Sequence, residues 1–121
     1  MSFIALEQKI LMTAQAMTAD RTSLTLDAKT IVSFVIACTI TSGSSPIGDL
    51  VLQLQTAPGG GWKEHTRTGI TADGDTLFEI LDPAGLFYRV FYDFTSGSGT
   101  LDIEVSARIF KRGGDPAGEA L

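Results

Sequence analysis

The stretch LFYRVFYDF-TSGSG-TLDIEVSARIF, residues 86–110, decides how the rest of the chain is read. From Thr100 onward Leu101, Ile103, Val105, Ala107 and Ile109 alternate with Asp102, Glu104, Ser106 and Arg108, the period of a half-buried strand. The arm before it is aromatic, with Tyr88, Val90 and Tyr92 on one face and Phe87, Arg89, Phe91 and Asp93 on the other. Small, glycine-containing TSGSG between the arms has the freedom of a tight reversal, so the pattern predicts an antiparallel hairpin.

Upstream the same grammar recurs. TIVSFVIACTIT (30–41) is apolar on both faces and β-branched, as a central strand covered on each side would be. It runs into TSGSSPIGD, where Pro46 cannot donate a ladder hydrogen bond and the chain is expected to leave the sheet. LVLQLQ (50–55) is the next strand, so TSGS sits twice between two apolar strands, at 41–44 and 95–98. SLTLDA (23–28) alternates Leu24, Leu26 and Ala28 against polar residues. DTLFEIL (75–81) reads as a strand with Leu77 and Ile80 in the core.

These segments predict an all-β fold, an antiparallel β-sandwich of jelly-roll or immunoglobulin-like kind with seven to eight strands. Residues 1–20 form an N-terminal arm, loose at first, with a possible first strand near 10–18. Residues 21–110 form the sandwich, and 111–121, rich in charge, Gly and Pro, form a mobile C-terminal tail.

A chain of 121 residues suits one domain with one core. Nine Lys and Arg against fourteen Asp and Glu give a net charge of −5, and the basic residues are scattered, which speaks against nucleic acid as a partner. The only cysteine, Cys38, lies among Val35, Ile36, Ala37 and Ile40 and reads as a small buried hydrophobe. No run reaches the roughly 20 apolar residues of a membrane-spanning helix, so no membrane partner is expected. MSFIALEQKILMTAQAM lacks a basic leader ahead of an unbroken apolar region, and folding in a host cytoplasm is expected.

No catalytic, cofactor or metal motif stands out. His65 is the only histidine and lies among charges in KEHTR, without a nucleophile-elbow pattern to complete a triad. The APGGGW loop has neither the preceding strand-to-helix context nor the Lys of a phosphate cradle. Asp73 and Asp75 around Gly74 lack the further ligands of a calcium loop. Asp102 and Glu104 project from one strand face at about 7 Å, as paired carboxylates could, but alternating charges on a solvated strand give the same pattern. The expectation is therefore a protein that is not an enzyme and carries no cofactor. Its candidate contact residues are Phe87, Arg89 and Phe91, large aromatics beside a charge, together with Phe3, Ile4 and Leu6 of the arm. Trp62 and His65 form a possible ligand loop.

The order of motifs, TSGSSP (41–46), LQLQ (52–55), GGW (60–62) and YRVFY (88–92) before a final Gly-turn hairpin, resembles small β-sandwich proteins of phage and prophage head genes over about residues 22–110. The chain departs from that family at Lys63-Glu64-His65, where a longer aromatic loop is usual. The resemblance implies a virion protein, best fitted to capsid decoration or cementing. The major capsid protein would be its partner, and a homo-oligomer, a trimer by preference, its form. A carbohydrate- or host-surface-binding module and a head-tail or tail-tube component are the alternatives.

Overall fold

The computed structural model describes residues 2–112, and their side chains from 3 to 110. It is all-β, with seven strands and no helix among the described residues: β1 (Ser2–Ala16), β2 (Arg21–Thr22), β3 (Leu26–Asp27), β4 (Ile31–Gln55), β5 (Lys63–Ile70), β6 (Gly74–Ile80) and β7 (Phe87–Arg112). Every pairing is antiparallel. The strands form one sheet in the order β1-β7-β4-β5, with β2 and β3 on β7 and β6 on β4.

The sheet is organised by two strands of unusual length, β4 with 25 residues and β7 with 26. They pair with each other from Ile31 opposite Ile109 to Gln55 opposite Phe87. The expected hairpin across TSGSG therefore does not form; its two arms are one strand, and so are the segments on either side of TSGSSP. The two TSGS sequences face each other instead, with Thr41 opposite Thr100 and Ser44 opposite Ser98. Gly and Ser supply the same local freedom to a corner as to a reversal. A corner shared by two strands keeps the ladder on both sides of it.

The bend is explicit in the backbone. Register shifts fall between Thr41 and Ser44, Ser44 and Ile47, and Ile47 and Gly48. Ser42, Ser45 and Gly97 have φ of 54°, 49° and 82°. Pro46 is tolerated without ending the strand because it sits where the ladder is already interrupted. Asp73 accepts a hydrogen bond from the Gly43 amide at 2.9 Å, holding the corner to the turn before β6.

Folding at this corner makes the sandwich. Phe34 and Leu54 lie about 20 residues apart on β4, roughly 65 Å along a straight strand. Yet the Phe34 ring stands edge-on to Tyr88, the cross-strand partner of Leu54, with centroids 4.9 Å apart. One layer holds β1, β6 and the corner-flanking halves 31–41 of β4 and 100–112 of β7. The other holds β2, β3, β5 and the halves 47–55 and 87–94. Their inner faces share a core in which Ile36, Cys38, Leu101, Ile103 and Val105 meet Leu50, Leu52, Tyr88, Val90 and Tyr92, all at most 1 % exposed. On β7 the inward positions change from even to odd numbers across the corner, so the bulged TSGSG also resets the phase of the strand.

Three expectations change at the edges. The segment expected as a loose arm is strand from Ser2 onward, because β7 runs on to Arg112 and offers it an edge; bulges follow Ile10 and Met12. SLTLDA is not a regular strand. Ser23 turns inward, exchanging hydrogen bonds with Val90 through its amide and its Oγ, both at 2.9 Å, and Leu24 is 59 % exposed while Leu26 is buried. In DTLFEIL the apolar run offers both faces a candidate: Phe78 takes the core place, Ile80 is half-buried and Leu77 is 65 % exposed. Of the expected tail, Lys111 and Arg112 end β7, and the remainder lies outside the described residues.

Gly97 tests the corner. A Cβ there would lie 2.0 Å from the Ser45 carbonyl oxygen, whereas at Gly59, φ 73°, it would meet nothing within 4 Å. Gly59→Ala is expected to cost only the left-handed backbone term, about 1–2 kcal/mol. Gly97→Ala should cost clearly more in urea unfolding, because the corner must open to admit the methyl. Equal losses at the two sites would contradict the corner geometry.

Candidate functional site

The outer face of the second layer gathers Phe87, Arg89, Phe91 and Asp93 of β7 with their cross-strand partners Gln55, Gln53, Val51 and Asp49 of β4. Arg67 of β5 lies opposite Val51. Phe87, Arg89 and Phe91 are all half-buried, and Val51 beneath them is 1 % exposed. Arg89 stacks on the Trp62 ring, its guanidinium carbon 4.2 Å from the centroid, and its Nε donates to Gln53 Oε1 at 2.7 Å. Burial lowers the Arg89 pKa from its ordinary value. Gln55 donates to the Gly60 carbonyl and so ties the glycine loop that carries Trp62 to the sheet. Lys29 sits over Phe87 at 5.3 Å.

Asp49 and Asp93 lie directly opposite each other, an unfavourable like-charge pair. Arg67 resolves it by donating to Asp49 at 2.6 Å and to Asp93 at 3.1 Å, while its Nε reaches Glu64 at 3.0 Å. The hydrogen bond to Asp49, then those to Glu64 and Asp93, hold the guanidinium pKa above its ordinary value. Because the group is open to water, the bridge organises the face more than it stabilises the fold.

The outer face of the first layer is different in kind. Its middle strands mix small side chains with charged ones, Ser106 opposite Val35, Glu104 opposite Ala37 and Arg108 opposite Ser33. Its edge strands present large apolar ones: Leu6 and Ile10 on β1, 69 % and 62 % exposed, and Leu77 on β6 with Leu81 just beyond it, 65 % and 72 % exposed. The result is a trough whose walls alternate these apolar side chains with Gln8 on β1 and Glu79 on β6. Leu6, Val32, Val35 and Leu81 border a hollow of about 540 Å³ over Ser33 and Ser106, with the charged side chains of Glu79 and Arg108 also in its lining. A second hollow of about 280 Å³ continues it toward Ile10 and Ala37.

The residues singled out as contacts therefore divide between opposite sides of the molecule. Ile4 and Leu6, 51 % and 69 % exposed, belong to β1 at the rim of the trough; Phe3, 48 % exposed, has the parity of Ala5 and Glu7 and belongs to the strand's other face; Phe87, Arg89 and Phe91 belong to the other layer. Trp62 is engaged by Arg89, and His65, exposed where β5 bulges between Leu52 and Gln53, has its Nδ1 2.6 Å from Thr66 Oγ1. Leu77 and Leu81 were missed as surface residues, since a strand apolar on both faces has no period to reveal its outer side.

Several acids that could suggest chemistry serve as backbone anchors. Asp102 accepts from the Ala14 amide at 2.8 Å, where Ala14 adopts φ 45° in the bulged end of β1. Asp20 accepts from the Phe94 amide at 2.9 Å. Among the described residues no group of three or more His, Cys, Asp or Glu side chains could hold a metal ion, and no buried side-chain polar atom is left without a partner. No helix is long and apolar enough to cross a membrane.

No protein-family model and no curated protein sequence matches the chain. Solved structures do. The SPBc2 prophage-derived protein YomS superimposes with a TM-score of 0.60 at 14 % identity, over 88 % of this chain and 95 % of that one, which shows a shared fold. A structure titled for a CBM4 module matches with a TM-score of 0.46 at 10 % identity, over 71 % of this chain and 60 % of the other. The Yersinia pseudotuberculosis-derived mitogen matches with a TM-score of 0.41 at 16 % identity, over 100 % and 96 %.

Cys38 offers a pH test of the core beneath these faces. Burial pushes its thiol up from about 9 to about 12. The folded state thus holds the proton more tightly than the unfolded chain. The stability this represents is intact below pH 9 and is lost as pH rises from 9 toward 12. Between pH 9 and 10.5 the protein should lose about 1.5 kcal/mol more than Cys38→Ala does. Parallel losses, measured by urea unfolding across that range, would mean that Cys38 is accessible.

Proposed function

We propose that the chain is a non-enzymatic structural protein of a bacteriophage virion that decorates the outer capsid shell, with the major capsid protein as its partner. The observation that carries this reading is the trough on the first layer, with its exposed leucine and isoleucine side chains. Leu6, Ile10, Leu77 and Leu81 are each more than 60 % exposed on one side of a small domain, and large apolar side chains gathered around a hollow and interspersed with polar ones, Gln8, Glu79 and Arg108, are characteristic of a contact face. Complete burial of such a side chain contributes about 1.5–3 kcal/mol. Four together are comparable to the entropic cost of immobilising a protein on a surface.

The polar chemistry agrees with a scaffold. Asp102, Asp73 and Asp20 are spent on backbone anchoring and Arg67 on screening Asp49 from Asp93. The prophage origin of YomS, which shares the fold, supports a phage setting. Of the sequence-derived contacts, Ile4 and Leu6 lie on the docking face, Phe3 belongs to the other face of β1, and Phe87, Arg89 and Phe91 stay clear of the shell.

A second reading, a carbohydrate-binding module, is favoured by one observation: Trp62, Phe87 and Phe91 share the other face with Gln53 and Arg89, a mixture of stacking and hydrogen-bonding groups. Arg89 already occupies one side of the Trp62 ring.

Co-sedimentation with capsids assembled from the major capsid protein of the encoding phage separates the two. The protein should pellet with shells to a fixed stoichiometry. Leu77→Glu combined with Leu81→Glu should weaken binding at least tenfold, about 1.4 kcal/mol, and Trp62→Ala should leave it unchanged. A protein that stays in the supernatant at every capsid concentration contradicts the proposal. Glycan-array binding abolished by Trp62→Ala would establish the second reading.

A further inference from the structure

The outer face of the second layer treats its charges in two ways. Asp49, Asp93 and Glu64 converge on Arg67, which reaches all three within 3.1 Å. Asp27, opposite Phe87 on the same face, is held by the Lys29 ammonium at 3.5 Å and the Lys29 amide at 3.0 Å. Each of these carboxylates is thus matched by a cation of the chain. Arg89 is the cation of this face that has no such match. It is half-buried, no carboxylate pairs with it among the described residues, and burial lowers its pKa with no neighbouring charge opposing the shift. Of the five N–H bonds of a guanidinium only its Nε–H has an acceptor there, Gln53 Oε1 at 2.7 Å.

The contacts that Arg89 does make leave its gripping edge open. Trp62 takes the guanidinium by its flat side and Gln53 takes it by Nε. The two terminal nitrogens, the pair that holds a carboxylate in a two-pronged fork, have no acceptor among the described residues. Stack and hydrogen bond together fix the side chain, so the fork is ready before any ligand arrives. Partial burial strengthens its attraction for an anion, because the field of a charge withdrawn from bulk water is less screened. Arg67, on the same face, shows the contrasting case of an arginine whose fork is filled from within the chain.

We propose that this face binds an acidic saccharide, with a sugar carboxylate on the terminal nitrogens of Arg89 and the sugar ring against the neighbouring aromatic surface. The inference rests on the carbohydrate-binding reading of this face and adds the charge of the ligand and the residue that selects it. Phe91 follows Arg89 by two residues on the same face, about 7 Å along the strand, a spacing that suits one pyranose ring and its carboxylate. Phe91 is half-buried and, unlike Phe87 and Trp62, has no cation over its ring among the described residues. Its open ring surface fits the apolar C–H side of a sugar. Gln53 spends Oε1 on Arg89 and keeps its amide N–H donors for a hydroxyl. A carboxylate alone needs only the fork; the adjoining ring and amide favour a sugar that carries one.

The site and the trough do not compete. Arg89 and Phe91 pair with Gln53 and Val51 in one layer, and Leu77 pairs with Ala37 in the other, so a protein seated through the trough turns the Arg89 face outward. The net charge of −5 opposes an anion at long range. Ordinary salt screens that opposition beyond about 8–10 Å, and the nearer carboxylates are already occupied by Arg67 and Lys29.

Trp62 is the only tryptophan, so its fluorescence reports on the site in the free protein, without any capsid. Trigalacturonate or a glucuronate-containing hyaluronan tetrasaccharide should change it saturably. The methyl ester of the same acid, neutral but with the same rings, should bind about tenfold more weakly or less. Arg89→Lys keeps the charge and loses the fork; it should weaken the acid by about threefold or more and leave the ester as it was. The comparison of acid with ester uses the wild-type protein alone, so it stands whether or not the variant folds. Equal binding of acid and ester would overturn the inference and leave the carbohydrate reading intact. Silence toward both acids and both esters would overturn the inference and count against that reading as well. Arg89-dependent binding of triglutamate without binding of either acidic saccharide would overturn it in favour of a protein carboxylate.

Discussion

The structure depends on one continuous ladder, β4 against β7, and on the place where that ladder folds. Thr41 to Ile47 of one strand and Phe94 to Thr100 of the other bend together, and every other strand is hung on the two halves so produced. Cross-strand pairing cannot be given up cheaply inside a core, since each unpaired backbone group there costs about 1–3 kcal/mol. Bulges and positive φ at Ser42, Ser45 and Gly97 confine the interruption to a corner at the surface. Gly48 belongs to the same solution: a Cβ there would come within 2.8 Å of Tyr92 and the Asp93 carbonyl, so the absence of a side chain lets Tyr92 close over the corner and donate to the Ile47 carbonyl at 3.3 Å.

From that corner the two outer faces follow. Because both strands cross it, each contributes to both layers, and the character of each face is written in alternate positions of the same two segments. The half of β7 rich in Phe, Tyr and Arg builds a face on which aromatic rings are covered by cations, Trp62 by Arg89 and Phe87 by Lys29. The half with Ser106 and Arg108 forms, with Ser33 and Val35 of β4, the floor of the hollow between Leu6 and Leu81. The first face is largely satisfied within the chain; the second leaves its large apolar side chains in water.

Much of the core was legible as period. Leu101, Ile103, Val105, Ala107 and Ile109 are all inside, as their alternation requires, and so are Tyr88, Val90 and Tyr92. The all-β class followed from those segments. What sequence could not tell was which strand each segment meets, because TSGS has the same local chemistry in a hairpin turn and in a corner, and the difference lies in a partner more than 40 residues away. The repeated TSGS was a true signal with another meaning: the two copies are opposite each other. At the surfaces, Phe87, Arg89 and Phe91 share one outward face as their alternation implies, but Arg89 meets Trp62 and Phe87 meets Lys29, which arrive from distant loops. Leu77 and Leu81 lay in a run apolar on both sides, and only pairing with β4 chooses between them and Phe78.

The folded ladder is the claim on which both faces and the trough rest, and cross-strand Hα–Hα contacts in a nuclear Overhauser spectrum read it directly. The account predicts contacts linking the segments around Ser44 and Ser98 and those linking the β4 and β7 halves on both sides of the corner. Contacts joining residues 87–94 to residues 100–110 across a closed TSGSG turn would contradict it.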